Sequence, residues 1–87
     1  MILSGKTVKN TFALREAQVN KEYKEGESFR DCLEIMFLEL CKKLDIEAPL
    51  WMKKNTREFA MYNKTVFFKE QFVDAVYFDF FELKVEK

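Results

Sequence analysis

Ser28-Phe29-Arg30-Asp31-Cys32-Leu33-Glu34-Ile35-Met36-Phe37-Leu38-Glu39-Leu40-Cys41-Lys42-Lys43-Leu44 reads as one amphipathic helix, and the rest of the chain must arrange itself around it. Phe29, Cys32, Leu33, Met36, Phe37, Leu40, Cys41 and Leu44 recur at three- and four-residue spacing, which is the apolar stripe of a 3.6-residue period. Arg30, Glu34, Glu39 and Lys42 fall off that stripe toward solvent. Ser28 is placed to cap the first free amides, and Asp31 sits in the first turn, where a carboxylate suits the helix dipole. Lys42 and Lys43 occupy the last turn, where cations are favoured, and Pro49 closes the segment. The spacing predicts a helix over about 28–45.

Downstream, Ala75-Val76-Tyr77-Phe78-Asp79-Phe80-Phe81-Glu82-Leu83-Lys84-Val85 is rich in the aromatic and β-branched residues that fit a pleated surface. Its alternation has a fault. Val76, Phe78 and Phe80 are apolar at even positions, whereas Phe81, Leu83 and Val85 are apolar at odd ones. Either a bulge near 80–81 flips the register, or each half of the strand buries a different face against another layer, for instance a second copy of the chain.

A lone strand needs partners, so Ile2–Val8 and Thr11–Val19 are read as a hairpin turning at Lys9-Asn10, with Phe12 and Leu14 toward the helix. Ala13-Leu14-Arg15-Glu16-Ala17-Gln18 also has good helix composition, which leaves a partly helical alternative for this segment. Lys21–Glu27 is a charged connection. A second, short helix is expected over about 55–63, capped by Asn55 or Thr56, with Phe59, Tyr62 and Met52 inward. Thr65–Val73 reads as an extended segment and a tight turn anchored by Phe67, Phe68 and Phe72. The result is a single α+β domain over residues 1–87, with a small antiparallel sheet packed on one long and one short helix.

A chain of 87 residues has a modest core, but 48% hydrophobic and 16% aromatic content, including ten phenylalanines, supplies it. Fifteen basic and fifteen acidic side chains cancel, which removes the basic excess of a dedicated duplex binder and leaves little repulsion between copies. Histidine is absent, and with it the commonest general base and the commonest metal ligand. Cys32 and Cys41, nine residues apart on one helix, stand about 13 Å apart and cannot pair with each other. They are read as reduced core thiols, which suits a cytoplasmic setting. The first residues lack the order of a signal peptide, and no apolar run approaches the ~18–20 residues of a membrane span. Gly5-Lys6-Thr7 lacks the earlier glycine and spacing of a phosphate loop. The sequence predicts no catalytic residues, no cofactor and no metal site.

Two surfaces carry interaction chemistry. Trp51, Lys53, Lys54, Arg57 and Tyr62, continuing to Lys64, interleave rings with bases, the combination that single-stranded nucleic acid uses. Packing of Phe59 and Tyr62 beneath a solvated lysine face explains the same pattern. The stretch Glu25–Glu47 carries Glu25, Glu27, Asp31, Glu34, Glu39, Asp45 and Glu47 against Arg30, Lys42 and Lys43, so acidic and basic patches on one neutral chain can complement each other between copies. Asp79, set among Tyr77, Phe78, Phe80 and Phe81, would need Arg57, Lys64 or a backbone amide as partner if buried.

The pattern Pro49-x-Trp51-x-x-Lys54-Asn55-x-x-Glu58-Phe59, then Thr65-x-Phe67, then Phe78-Asp79-x-x-Glu82, resembles small uncharacterised proteins of Gram-positive anaerobes. The resemblance implies a cytoplasmic α+β domain, and no activity, substrate or cofactor comes with it. The functional expectation is therefore a non-enzymatic protein–protein interaction module, self-associating through Phe80, Phe81 and Leu83 of the C-terminal strand. Single-stranded nucleic-acid binding through residues 51–64 is the alternative.

Overall fold

The structure, a computed structural model, describes residues 1–86. Strands β1 (Ile2–Lys9) and β2 (Phe12–Asn20) form the N-terminal hairpin. Helices α1 (Phe29–Lys43) and α2 (Lys53–Tyr62) follow. Strand β3 (Lys64–Phe68), a single 3₁₀ turn at Lys69–Gln71 and strand β4 (Phe80–Glu86) complete the domain. The four strands form one antiparallel sheet in the order β2-β1-β4-β3, with both helices on one face. The expected α+β architecture is present, with β3 as a fourth strand beyond the hairpin and C-terminal strand.

Inward positions follow the two-residue period. Leu3 and Thr7 of β1, Thr65 and Phe67 of β3, and Phe81, Leu83 and Val85 of β4 are buried beneath the helices. Gly5 lies among them because nothing larger fits. A Cβ there would stand 2.5 Å from Phe81 Cε1 and 2.9 Å from Leu40 Cδ2. Met36, Phe37, Leu40, Cys41 and Leu44 of α1 close the core from above.

The fault in the C-terminal alternation is neither a bulge nor a second buried layer. The strand simply starts at Phe80, and residues 72–79 form an irregular corner in which Phe72 and Phe78 meet edge to face at 5.2 Å. The hairpin departs from expectation at its tip. The turn residues Asn10 and Thr11 both have positive φ, 52° and 70°, and the register slips between Thr7 and Val8. Leu14, left without a cross-strand partner by that slip, is exposed, and Phe12, opposite Lys9 at the end of the ladder, is 71% exposed. Arg15 and Val19 face the helix instead, Val19 in the core and Arg15 donating from Nη1 to the Leu44 carbonyl at 3.2 Å.

α1 begins as the sequence indicates, with the Ser28 hydroxyl accepting from the Asp31 amide at 3.4 Å. α2 starts two residues before Asn55, which is therefore no N-cap. Its side-chain oxygen instead reaches back to the Met52 amide at 2.9 Å. Tyr62 and Met52, expected inward, are exposed, Tyr62 at 61%, because the inner face of this short helix is filled by Asn55 and Phe59.

Side chains blunt both margins of the sheet. Met1 and Lys21 exchange main-chain hydrogen bonds at 3.0 and 3.1 Å, so odd-numbered residues of β2 bond to β1 and even-numbered ones turn their amide groups outward. The outward carbonyl of Gln18 accepts from Lys43 Nζ at 3.0 Å. On the opposite margin the Val85 amide donates to Asn63, which fixes the same alternation in β3. There the outward Val66 carbonyl accepts from Asn55 Nδ2 at 3.1 Å, and the Phe68 amide donates to Gln71 Oε1 at 3.1 Å. Occupied edges of this kind resist strand addition.

Candidate functional site

A groove of ≈ 570 Å³ lies between α1 and α2, floored by Val85 of β4. Phe29, Leu33 and Phe37 wall it on α1, one or two turns apart and hence on one face. Trp51 closes one end, and Thr56, Phe59, Ala60 and Asn63 form the α2 side. Two helices lying over one sheet leave a furrow wherever the facing side chains are short. Here Ala60 is a single methyl group, and Asn63 ends its helix in the left-handed region at φ 59°.

The rings are fixed by one another. Trp51 lies 5.7 Å from Phe37, 5.7 Å from Phe59 and 5.3 Å from Phe67 between centroids, in edge-on or tilted geometries. Phe67 continues the column to Phe81 at 5.7 Å. Such contacts each add about 0.5–1.5 kcal/mol beyond area burial, so the walls are rigid. The Trp51 indole N–H donates to the Thr56 hydroxyl at 2.7 Å, which satisfies its one polar atom. Arg30 and Glu34 at the α1 rim are the titratable groups lining the groove, and both are exposed. The site is therefore apolar with a polar lip, within the ordinary size range of binding clefts and without an acid–base pair.

Beneath α2 lies a buried polar network. Asn55, fully buried, accepts from the Met52 amide and from Gln71 Nε2 at 3.0 Å, and donates to the Thr65 hydroxyl at 2.8 Å and the Val66 carbonyl. Both donors and both acceptor positions of its amide are used. Thr65 in turn donates to Glu58 Oε1 at 2.6 Å, and Gln71 Nε2 also reaches the Leu50 carbonyl at 3.1 Å. The network leaves no valence of Asn55 aimed at a ligand. Its work is to lock α2, β3 and the 50–52 connection together. Trp51, Asn55, Glu58, Phe59, Thr65 and Phe67 of the pattern quoted above are thus one packing unit.

The residues singled out in the sequence are dispersed. Trp51 is half-buried as a groove wall, and its ring is engaged with three others. Lys54 lies over the Phe68 ring at 4.6 Å, on the β3 side of α2. Lys53 and Arg57 share an outward ridge one turn apart. Phe81 and Leu83 are wholly buried in the chain's own core and Phe80 is half-covered, 6.3 Å from Phe68, so the C-terminal strand offers no apolar second face. Asp79 is exposed, and a backbone amide is its partner: Oδ2 accepts from Asn10 at 2.9 Å and pins the hairpin tip.

Cys32 and Cys41 are both buried, and burial pushes the Cys41 thiol from 9.0 up to about 12, which makes it a poor nucleophile. A second, shallow depression of ≈ 440 Å³ on the open face of the sheet is lined by Lys6, Glu16, Glu82 and Lys84. There Lys6 stands between Glu16 and Glu82 in the cross-strand register, 3.9 Å from the latter, in a solvated charge ladder. Among the described residues, no group of three or more His, Cys, Asp or Glu side chains could hold a metal, and no helix is long and apolar enough to cross a membrane.

Phe29, Leu33 and Phe37 were legible only as core, because periodicity says which face is apolar and not whether that face is fully covered. Ile35 and Leu38 carried a clearer signal. They lie off the stripe among Asp31, Glu34 and Lys42, and they are 54% and 46% exposed. Compared with protein-family models, with curated proteins and with solved structures, the chain matches none.

Proposed function

We propose that this chain is a non-enzymatic protein–protein interaction domain whose contact surface is the aromatic groove between α1 and α2. The observation that carries the reading is the groove itself: ≈ 570 Å³ walled by Phe29, Phe37, Trp51 and Phe59, with its charged groups confined to the rim. Rigid aromatic walls contribute binding energy without a large ordering cost, which is how interface hot spots work. Phe81 and Leu83 are buried in the chain's own core, which supports the helices over the C-terminal strand as the contact surface. Two free, buried thiols accord with a reducing compartment such as the cytoplasm.

Trp51 is the single tryptophan, so its emission reports on the groove. The fluorescent anion anilinonaphthalene sulfonate, titrated into dilute native protein, is expected to bind saturably and to quench Trp51 by energy transfer. Ala60→Arg, which fills the groove from an exposed helix position, is expected to abolish binding while leaving the circular dichroism unchanged. A dilute native protein that binds no dye overturns this reading.

A further inference from the structure

Between Trp51 and Lys69 the chain carries five bases (Lys53, Lys54, Arg57, Lys64 and Lys69) against one acid, Glu58. This stretch forms α2 and β3, and Asn55 and Glu58 of the helix hydrogen-bond to Thr65 and Val66 of the strand. The two elements therefore lie side by side at the sheet margin. The same contact draws the one acid inward: Glu58 Oε1 accepts from the buried Thr65 hydroxyl at 2.6 Å. All five bases are exposed. Tyr62 is 61% exposed and meets no other ring among the described residues, and Phe68, 47% exposed, has Lys54 Nζ over its ring at 4.6 Å. β3 rises about 13 Å from Lys64 to Phe68, so the strip has a ring and a base at each end.

Across the strands this charge is not neutralised. Lys64 stands directly opposite Lys84 of β4, and both are exposed. Like charges in facing positions destabilise a sheet, and neither lysine has an ion-pair partner among the described residues. An anion held between them relieves that repulsion. Of the neighbouring acids, Glu82 faces Lys6 at 3.9 Å, one strand in from the margin, while Glu70 and Glu86 lie beyond the two ends of β3.

From this segregation we infer that the α2–β3 margin binds single-stranded nucleic acid, on a surface separate from the groove. Phosphates meet Lys54, Lys64 and Lys84, and unpaired bases stack on the exposed rings of Tyr62 and Phe68. Trp51, engaged by three rings in the groove wall, takes no part. The rings select a single strand over a duplex, whose bases are stacked on one another, and over an acidic peptide or an anionic lipid, which have no bases to stack. A peptide strand is also denied the β3 edge, where the Val66 carbonyl and the Phe68 amide are already bonded. A chain of zero net charge can carry such a surface because its acids gather elsewhere, seven of them between Glu25 and Glu47.

The anisotropy of a fluorescein-labelled oligothymidylate of about 15 nucleotides is expected to report saturable binding that weakens steeply as salt rises. Lys54→Glu with Lys64→Glu, and separately Tyr62→Ala, are each expected to weaken it at least about fivefold. These positions are exposed, so circular dichroism and melting stay close to wild type. Ala60→Arg, which fills the groove, is expected to leave the oligonucleotide bound, so this inference and the groove reading stand or fall separately. Absence of binding at low salt overturns the inference, and so does an affinity indifferent to the reversal of charge at Lys54 and Lys64. Equal affinity for the duplex formed with oligoadenylate, for polyglutamate or for phosphatidylserine vesicles overturns it too, since the rings would then select nothing.

Discussion

The Asn55 side-chain amide donates to the main-chain carbonyl of Val66 at 3.1 Å, so a residue inside α2 occupies the outer margin of β3. One buried amide thereby holds helix to sheet and blocks the edge of that sheet. The remaining bonds of Asn55, to Met52, Thr65 and Gln71, make the network all-or-none, since loss of one partner strands the others in a dry environment.

Asn55→Asp tests that dependence. The new carboxylate oxygen would face the Thr65 hydroxyl and the Val66 carbonyl without a proton to offer either, while burying charge. The expected loss is about 3 kcal/mol, read as a lowered urea midpoint. Thr56→Ala, which removes only the exposed bond to Trp51, is expected to cost less than about 1 kcal/mol in the same assay.

Gly5→Ala is expected to destabilise by about 1–3 kcal/mol, although alanine suits a strand no worse than glycine. The added methyl meets Phe81 at 2.5 Å and Leu40 at 2.9 Å, both in the packed core. Thermal melts of Gly5→Ala and of the double variant Gly5→Ala/Leu40→Ala decide whether crowding is the cause. Relief of the clash makes the double variant's loss smaller than the sum of the two single losses.

Thr7 is fully buried on the central strand β1, and its hydroxyl has no hydrogen-bond partner among the described residues. Valine has the same shape without the polar atom. Thr7→Val is therefore expected to stabilise the fold by about 1 kcal/mol, seen as a melting point higher by roughly 4–8 °C for a domain of this size. A lower melting point would show that the hydroxyl is satisfied in solution.

Cys41 sets a pH dependence whose sign follows from its burial. Its thiol pKa rises from 9.0 to about 12 on folding, so the folded chain holds this proton more tightly than the unfolded one. The contribution is intact below pH 9.0 and declines as pH climbs through the interval to about 12. Urea unfolding of wild type and Cys41→Val across that interval is expected to show a steeper loss for wild type. Alkylation of the native protein at pH 8 is expected to leave Cys41 unmodified.

Much of the fold was legible because long periodic segments state their faces openly. The Ser28 cap, the Cys32–Leu44 stripe and the odd-numbered Phe81–Leu83–Val85 row each reach the structure unchanged. What was hidden depended on contacts between distant residues. β3 is five residues long and alternates only Thr65 and Phe67 against Val66 and Phe68, too little to separate a strand from an extended loop. Phe12 and Leu14 are exposed at a hairpin tip whose register slip at Thr7/Val8 no local pattern announces. Within the groove, Trp51 keeps company that its place in the sequence does not announce. Its neighbours in sequence are basic, but its neighbours in space are Phe37, Phe59 and Phe67.

Lys43 at the margin of β2, with Asn55 and Gln71 at the margin of β3, bears on how far assembly can run. Strand addition propagates, because each added strand presents a fresh edge to the next molecule, and the end point is a fibre. With no net charge to keep copies of the chain apart, these occupied edges are what stands against that outcome.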